Sequence, residues 1–563
     1  MIHHLQHIVD LVEICRLKGI QQVVVSPGSR NAALIKLFSS NKAFHLHSIV
    51  DERSAAFYGL GIALATQKPV VLLCTSGTAV LNYAPALAEA YYQRVPLIAI
   101  TADRPENLID QQDNQTIRQV NIYQNYIKDS IHLRQPVRDV YELEAQHFAI
   151  NKILNSAVSG IEGPVHINVP IAEPFYIDLP EPLSDIKINQ AEQNESSNQS
   201  ELQISWKDNA RRMIICGEGP KNEERNGLVN SLSEKAIVLA EPVSNVKGES
   251  IIAEIDRMMM KIEAVDRDEY KPGLLISFGG SVVSKRLKQW LQKQKSLIHF
   301  RISDEEDQID TYQNLAGLVL GKTTEVLKRL DEIEVHSDEA FIENWRSAYI
   351  KNGKVHSSIL EELPYSDIKV FSTLLSNLPP NCILHLGNSS PVRYGQLFDL
   401  SVCDGVYSNR GVSGIDGCLS TASGFASQSD KINVVVLGDL SFLYDSNGLW
   451  NNNLSPNLKI VVINNEGGGI FRLLPGPSDM DAFEYFMETK HPVDIEKLVA
   501  AFGVEYFVSK SENELESTIQ RFMKSKNGPS LLEIKTPRLK NAEVYKEYIE
   551  RIKTGDRRRR TED

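Results

Sequence analysis

The sequence predicts an α/β protein built from three doubly wound parallel-sheet domains. Three observations carry that prediction. Short, continuous apolar runs rich in Val, Ile and Leu alternate with helical segments along most of the chain, as expected of strands buried on both faces of a parallel sheet. Most of these runs end in turns of Gly, Pro, Asn, Asp or Ser, which places polar loops on one rim of each sheet. The last third of the chain also repeats the organisation of the first. Gly163-Pro164 opens HINV and Gly528-Pro529 opens LLEI at equivalent places, the mark of a weak internal duplication.

A length of 563 residues suits three or four domains of about 150 residues each. The hydrophobic fraction of 42% and charged fraction of 24% are those of an ordinary globular protein. A formal net charge of −13 argues against nonspecific nucleic-acid binding and against an anionic membrane surface. Anionic substrates would therefore need cations concentrated locally. Cys15, Cys74, Cys216, Cys382, Cys403 and Cys418 are scattered, with no CxxC, and read as reduced core residues of a cytoplasmic protein. The start, MIHHLQHIVDLVEICRLKG, reads as an amphipathic helix rather than a signal peptide. His3, His4 and His7 are expected at solvated helix positions, not as metal ligands. No apolar run is long enough for a transmembrane helix.

Taken in order, residues 1–182 carry the strands QQVVVS, FHLHSIV, KPVVLLCTS, VPLIAITA and GPVHINVP, with SPGSRN, DERS, TSGTA and TADRP as rim loops. Residues 183–200, rich in Asn, Gln, Glu and Ser with no apolar period, read as a linker. Residues 201–350 form a central α/β domain with strands RMIICGEG, KAIVLAEP, GLLISFGG, LIHFRIS and GLVLG. Its loops hold few residues of obvious chemical use, so it reads as a spacer or a regulatory nucleotide domain. Lys285, in SKRLKQWLQKQK, belongs to a charge run that is most simply a solvated helix face. Residues 357–550 form the third domain, with strands NCILHLGNSS, GVYSNRG, INVVVLGDLS, LKIVVINNE and GPSLLEIKT. Residues 551–563 read as a charged tail, with its end GDRRRRTED expected to be disordered.

The most informative stretch is 432–471. A buried strand ends at Gly438-Asp439, a helical segment is expected around Tyr444 to Asn452, and a second buried strand ends at Asn464-Asn465. Asp439 and Asn465 thus fall at the carboxyl ends of two neighbouring strands, where ligands bind in open α/β sheets. A carboxylate, an amide oxygen and the carbonyls of a glycine-rich turn are hard donors that suit an octahedral Mg²⁺ shared with phosphate. Gly467, Gly468 and Gly469 let the backbone approach a diphosphate closely. Either piece alone reads equally well as an N-cap or as ordinary turn chemistry; together they favour a metal–diphosphate site. There is no Walker A pattern and no GxGxxG opening a helix, which weakens ordinary ATP or NAD readings.

GDLS followed by INNEGG resembles the metal–diphosphate motif of thiamine-diphosphate enzymes, and DERSAAFYGLGIA resembles the segment bearing their activating glutamate. SPGSRN, TSGTAV, TADRP, DNQTIRQ, GPVHINVPIAEP, GNSSPVR, YSNRGVSGIDG and GGGIF narrow the likeness further. In combination they resemble the 2-succinyl-5-enolpyruvyl-6-hydroxy-3-cyclohexene-1-carboxylate synthase family of menaquinone biosynthesis. The likeness covers both outer domains; the middle is matched mainly by SKRLKQW. Within the superfamily Gly usually follows Gly-Asp, whereas Leu440 follows Asp439 here, as this family permits. Glu466, between Asn465 and Gly467, is expected to point away from the phosphates.

The resemblance implies three domains of the thiamine-diphosphate type, with residues 1–182 binding the pyrimidine and residues 357–550 the diphosphate and metal. It implies thiamine diphosphate and Mg²⁺, with Mn²⁺ as a substitute. It further implies decarboxylation of 2-oxoglutarate and conjugate addition of the resulting succinyl carbanion to isochorismate, with release of CO₂. Glu52 would activate the aminopyrimidine, and Ile415 would prop the cofactor into a bent shape. Asp439, Asn465 and Gly467 would hold the metal, with Ser389, Leu440, Ser441, Gly468 and Ile470 also lining the cofactor. Both substrates are dicarboxylates, and arginine offers carboxylates a planar fork. Arg30, Arg393 and Arg410 would act in the reaction. Arg104, Ser29, Asn114, Gln115, Lys285 and Ser389 would bind substrate with them, and Ile470 and Phe471 would form the wall that excludes water. The cofactor would lie between subunits of a homodimer or homotetramer. Two alternatives stay open: another thiamine-diphosphate carboligase or decarboxylase of 2-oxo acids, and a non-catalytic diphosphate-binding protein of the same fold.

Overall fold

In a computed structural model of the chain, the described residues are 2–183, 186, 188, 199–304, 306, 309–473 and 480–555. Most of the expected linker and the tail beyond residue 555 lie outside them. The helix Gln199–Asp208 already includes the last two residues of the expected linker, and the helix Lys540–Thr554 takes in the first four of the expected tail.

Three six-stranded sheets form, and every strand pairing among the registers is parallel. The first comprises β1 (Gln22–Val25), β2 (His45–Ser48), β3 (Val70–Cys74), β4 (Leu97–Asp103), β5 (Asp129–His132) and β6 (Val165–Pro170). The second comprises β7 (Arg212–Cys216), β8 (Ile237–Ala240), β9 (Ile251–Ile252), β10 (Leu274–Phe278), β11 (Ile298–Ser303) and β12 (Leu315–Leu320). The third comprises β13 (Ile383–Leu386), β14 (Gly405–Tyr407), β15 (Asn433–Gly438), β16 (Leu458–Asn464), β17 (Glu505–Ser509) and β18 (Ser530–Lys535).

Strand order is β2-β1-β3-β4-β6-β5 in the first sheet and β14-β13-β15-β16-β18-β17 in the third, the same order in corresponding strands. The middle sheet runs β12-β11-β10-β7-β8-β9, the arrangement of dinucleotide-binding folds. In the first sheet Val23, Val25, Val71, Leu73, Ile98 and Ile100 enter one core, while Val24, Val70, Leu72, Leu97 and Ala99 enter another. Successive residues point to opposite faces, so a strand covered on both sides must be apolar throughout. That requirement is why these runs were readable.

The sequence missed β5, β9 and β17. Each lies at or next to a sheet edge, and two of them are half-buried along most of their length while β9 has only two residues. Three further expectations need correction or confirmation. The helical segment placed at Tyr444 to Asn452 starts earlier: the helix is Asp439–Tyr444, followed by a 3₁₀ turn at Ser446–Leu449. Gly448 and the Asn-rich 451–453 that follow disfavour helix, whereas Asp439 suits a first turn. His7 is not solvated but 1% exposed, and its Nε2–H donates to the Pro170 carbonyl at 2.9 Å. All six cysteines are buried, as the sequence suggested.

Burial pushes the His7 imidazole down to about 4, against the carbonyl contact that opposes it. Its folded pKa lies below the unfolded value, so the unfolded chain takes up the proton first and stability falls as pH drops from about 6.5 to about 4. His7→Gln should flatten that acid limb, by up to roughly 3 kcal/mol, in unfolding temperatures measured across this window.

The chain divides into two compact units. One comprises Met1–Asn194, Asn409–Asp430 and Ser441–Leu458; the other comprises Glu195–Ser408, Lys431–Leu440 and Lys459–Asp563. Inside the first unit the helices Glu52–Thr66 and Cys418–Ala426 pack backbone to backbone. A Cβ on Gly61 would lie 1.9 Å from the Thr421 carbonyl oxygen, and one on Gly424 would lie 1.9 Å from that of Tyr58. Only glycine permits the approach.

Candidate active site

In the first unit, the loops after β1, β3 and β4 converge. A Cβ on Gly28 would strike the Thr75 side chain, so the loops after β1 and β3 touch. Arg104 is buried and reaches three partners: Ser76 Oγ at 3.4 Å, Asp113 Oδ2 at 2.7 Å and the Asn114 carbonyl at 2.7 Å. Arg30 is buried too, donating to the Ile171 carbonyl at 2.9 Å and to Glu173 Oε1 at 3.2 Å. Its Nε is buried without a hydrogen-bond partner among the described residues. Burial, then the nearby Arg104 charge, lowers its pKa. A buried arginine with a donor to spare, near a second cation, is chemically suited to receive a carboxylate. Ser29, Asn114 and Gln115 stand exposed beside them.

Glu52 is the first residue of its helix, whose N-cap, Asp51, accepts from Arg53 N and Ser54 N. The Glu52 carboxyl is half-buried and held above its usual range by desolvation, with Asp51 adding to the shift. The helix follows directly on the carboxyl end of β2, which places Glu52 on the same rim. Arg410 belongs to this unit through Glu89, a buried carboxylate that accepts from Gly411 N at 2.6 Å and Val412 N at 2.8 Å. Arg410 is close enough to lower the Glu89 pKa against the burial that raises it. Half-buried Ile415 accepts Ser441 Oγ–H on its carbonyl at 2.9 Å.

The second unit holds the other set. Asp439 is 2% exposed; its Oδ1 accepts from Leu440 N at 2.7 Å and its Oδ2 from Gly467 N at 2.8 Å, with His491 Nε2 3.3 Å from Oδ2. The carboxylate after β15 is therefore tied to the glycine turn after β16. Asn465 is buried and donates through Nδ2 to Asp367. Gly467 has φ +147°, and a Cβ there would lie 2.5 Å from the Glu488 carbonyl oxygen, which accepts Gly468 N at 2.6 Å. Glu488 also binds Arg472 and Arg538, fixing the turn Gly469–Leu473 that carries Ile470 and Phe471, both half-buried. Glu466 is exposed and pairs with Lys490 at 3.4 Å.

Ser389, with φ +73°, caps the helix Ser390–Gly395 at the end of β13, beside β15. Arg393 is exposed in that helix. Lys285 is exposed at the start of the helix Lys285–Gln292, and no hydrogen bond or ion pair among the described residues joins it to the others. No pattern in the sequence singles out Asp367, Glu89, Glu488 or His491. Each reads as an ordinary surface residue.

Residues 9–122 match the thiamine pyrophosphate enzyme N-terminal TPP binding domain, 184–386 the middle domain of thiamine pyrophosphate enzymes, and 391–534 the C-terminal TPP binding domain. Fold and rim together define a thiamine-diphosphate enzyme. A 2-succinyl-5-enolpyruvyl-6-hydroxy-3-cyclohexene-1-carboxylate synthase of Desulfotalea psychrophila is 41% identical over 538 residues, covering 94% of this chain and 98% of its own length. Synthases of the same name from Flavobacterium johnsoniae and Porphyromonas gingivalis are 38% and 36% identical, each covering 96% of this chain and 98% and 96% of their own lengths. The chain belongs to the 2-succinyl-5-enolpyruvyl-6-hydroxy-3-cyclohexene-1-carboxylate synthase family, thiamine-diphosphate-dependent enzymes that form carbon–carbon bonds.

The residues present suit this cofactor and a divalent ion. One carboxylate, one amide and one backbone carbonyl are hard oxygen donors, leaving coordination positions for phosphate and water. No cluster of three or more His, Cys, Asp or Glu side chains that could hold a metal occurs among the described residues. The Gly467 backbone forms a cradle that a Cβ would fill. Gly467→Ala should therefore cost about 1–3 kcal/mol in the turn. Calorimetry with thiamine diphosphate and Mg²⁺ should show binding weakened roughly tenfold or more.

Proposed function

We propose that the protein decarboxylates 2-oxoglutarate and adds the resulting succinyl unit to isochorismate, giving 2-succinyl-5-enolpyruvyl-6-hydroxy-3-cyclohexene-1-carboxylate and CO₂. The observation that carries this reading is the junction of Asp439 with the Gly467 turn at the ends of β15 and β16, beside buried Asn465. Thiamine diphosphate bound there would supply the electron sink that makes loss of CO₂ from a 2-oxo acid feasible.

The chain's own residues account for the remaining work. Asp439, the Asn465 amide oxygen and the Gly467 carbonyl hold Mg²⁺, or Mn²⁺ in its place. Leu440, Ser441, Gly468 and Ser389 contact the cofactor, and Ile415 supports its bent shape. Glu52, whose carboxyl desolvation raises above its ordinary value, exchanges a proton with the aminopyrimidine ring. Arg30, Arg104, Arg393 and Arg410 bind the substrate carboxylates and orient them, with Ser29, Asn114, Gln115 and Lys285 completing the polar lining. Ile470 and Phe471 exclude water that would quench a carbanion. The active form is a homodimer or homotetramer with sites at the subunit interface. The burial of the cysteines supports a cytoplasmic setting.

Incubating the protein with Mg²⁺, thiamine diphosphate and 2-oxoglutarate, with and without isochorismate, tests the reading. CO₂ and the adduct are expected together. Turnover of pyruvate instead would select a different carboligase, and no product at all would leave a binding protein.

A further inference from the structure

Asp367 opens the helix Asp367–Ser376, where an acidic residue ordinarily faces water and the helix dipole. Here it is buried, 4% exposed, and among the described residues no cation pairs with it. Its charge is met by neutral donors from three other elements. Asn465 Nδ2, just past β16, donates to Oδ2 at 3.0 Å. Thr536 Oγ1, just past β18, donates to Oδ1 at 2.6 Å, and Asn541 Nδ2 of the helix Lys540–Thr554 donates to Oδ1 at 2.9 Å. The Asp367 backbone N–H returns a bond to Asn541 Oδ1 at 2.9 Å. Burying a carboxylate costs several kcal/mol even when hydrogen-bonded, and apolar packing would stabilise this corner at least as well.

What the carboxylate provides is direction. The two ends of an asparagine amide have nearly the same shape but opposite polarity. An ionised carboxylate only accepts, so it faces the NH₂ end of Asn465 and repels the oxygen. The amide can then turn only one way, with Oδ1 on the side opposite Asp367.

We propose that Asp367 is a positioning residue for the divalent cation: by holding Asn465 Nδ2, it presents Asn465 Oδ1 as a metal ligand. This rests on the metal site of the proposed function and extends it to a residue that touches neither metal nor cofactor. Outer partners of metal ligands typically govern affinity through such orientation.

Asp367→Asn is the sharpest test, because it conserves shape. Its amide oxygen stays with Thr536 and Asn541, its NH₂ turns to Asn465, and Asn465 must flip to offer nitrogen where oxygen is needed. Calorimetric titration of the full-length protein with Mg²⁺ in the presence of thiamine diphosphate should show affinity lowered by about 10–100-fold, with the far-UV circular dichroism retained. The double variant Asp367→Asn/Asn465→Asp restores a matched pair: the amide at 367 donates to the carboxylate at 465, whose second oxygen is free for the metal. It should recover most of the lost affinity, which a merely structural role for Asp367 would not produce. Wild-type affinity in the single variant, or a double variant no better than the single, overturns the proposal while the metal site stands. Failure of the wild-type protein to require Mg²⁺ for cofactor binding overturns both.

Discussion

Glu52→Gln should lower turnover by about 10²–10⁴-fold, the usual contribution of a positioned proton-transfer group. Thiamine diphosphate affinity should stay within a few-fold of wild type. The substitution keeps the side chain's shape and its place at the start of the helix Glu52–Thr66, where Asp51 supplies the cap. What it removes is a carboxyl whose proton affinity desolvation has raised. A nearly isosteric amide cannot exchange a proton with the cofactor ring, so kcat carries the loss. Single-turnover measurements of CO₂ release, alongside calorimetric cofactor binding, separate the two effects. A parallel collapse of binding would instead assign Glu52 to holding the cofactor.

Asp439→Ala should abolish Mg²⁺-dependent cofactor binding, a larger loss than the about 10–100-fold expected for an outer partner. Two losses coincide. The only side-chain carboxylate proposed for the metal disappears, and the Gly467 N–H that it accepts at 2.8 Å is left without that partner in a buried turn. His491, 3.3 Å from the same oxygen, loses its acidic neighbour as well. Calorimetry with and without Mg²⁺ reads the effect directly. Unchanged affinity would remove the metal from this rim.

Most of the architecture was legible because burial on both faces writes itself into a strand as an unbroken apolar run. INVVVLGD and LKIVVINN could hardly be anything else. Edge strands carry no such constraint: DSIH and EYFVS are half-buried along most of their length, and neither stood out. Motif residues such as Asp439 and Gly467 were singled out because the chemistry demands a residue type at a spacing. Their supports were not. Glu89 looks like one more charge on an exposed helix, yet it fastens the loop carrying Arg410 through two backbone N–H groups. His7 looked solvated because three histidines stand near a charged start, but its helix is buried on nearly every side. In each case the deciding contact comes from a segment remote in sequence, and no local pattern encodes it.

The shared strand order of the outer sheets makes their rims comparable position by position. The residue directly after β16 is Asn465, proposed as a ligand to a cation; the residue directly after β4 is Arg104, proposed as a donor to anions. Directly after β15 stands Asp439, while after β3 come the neutral hydroxyls of Thr75 and Ser76. One scaffold, written twice in a single chain, thus appears in opposite electrical polarities. Its two copies are not interchangeable, and exchanging their strand-end loops would move the proposed phosphate anchor and the proposed carboxylate receptor together.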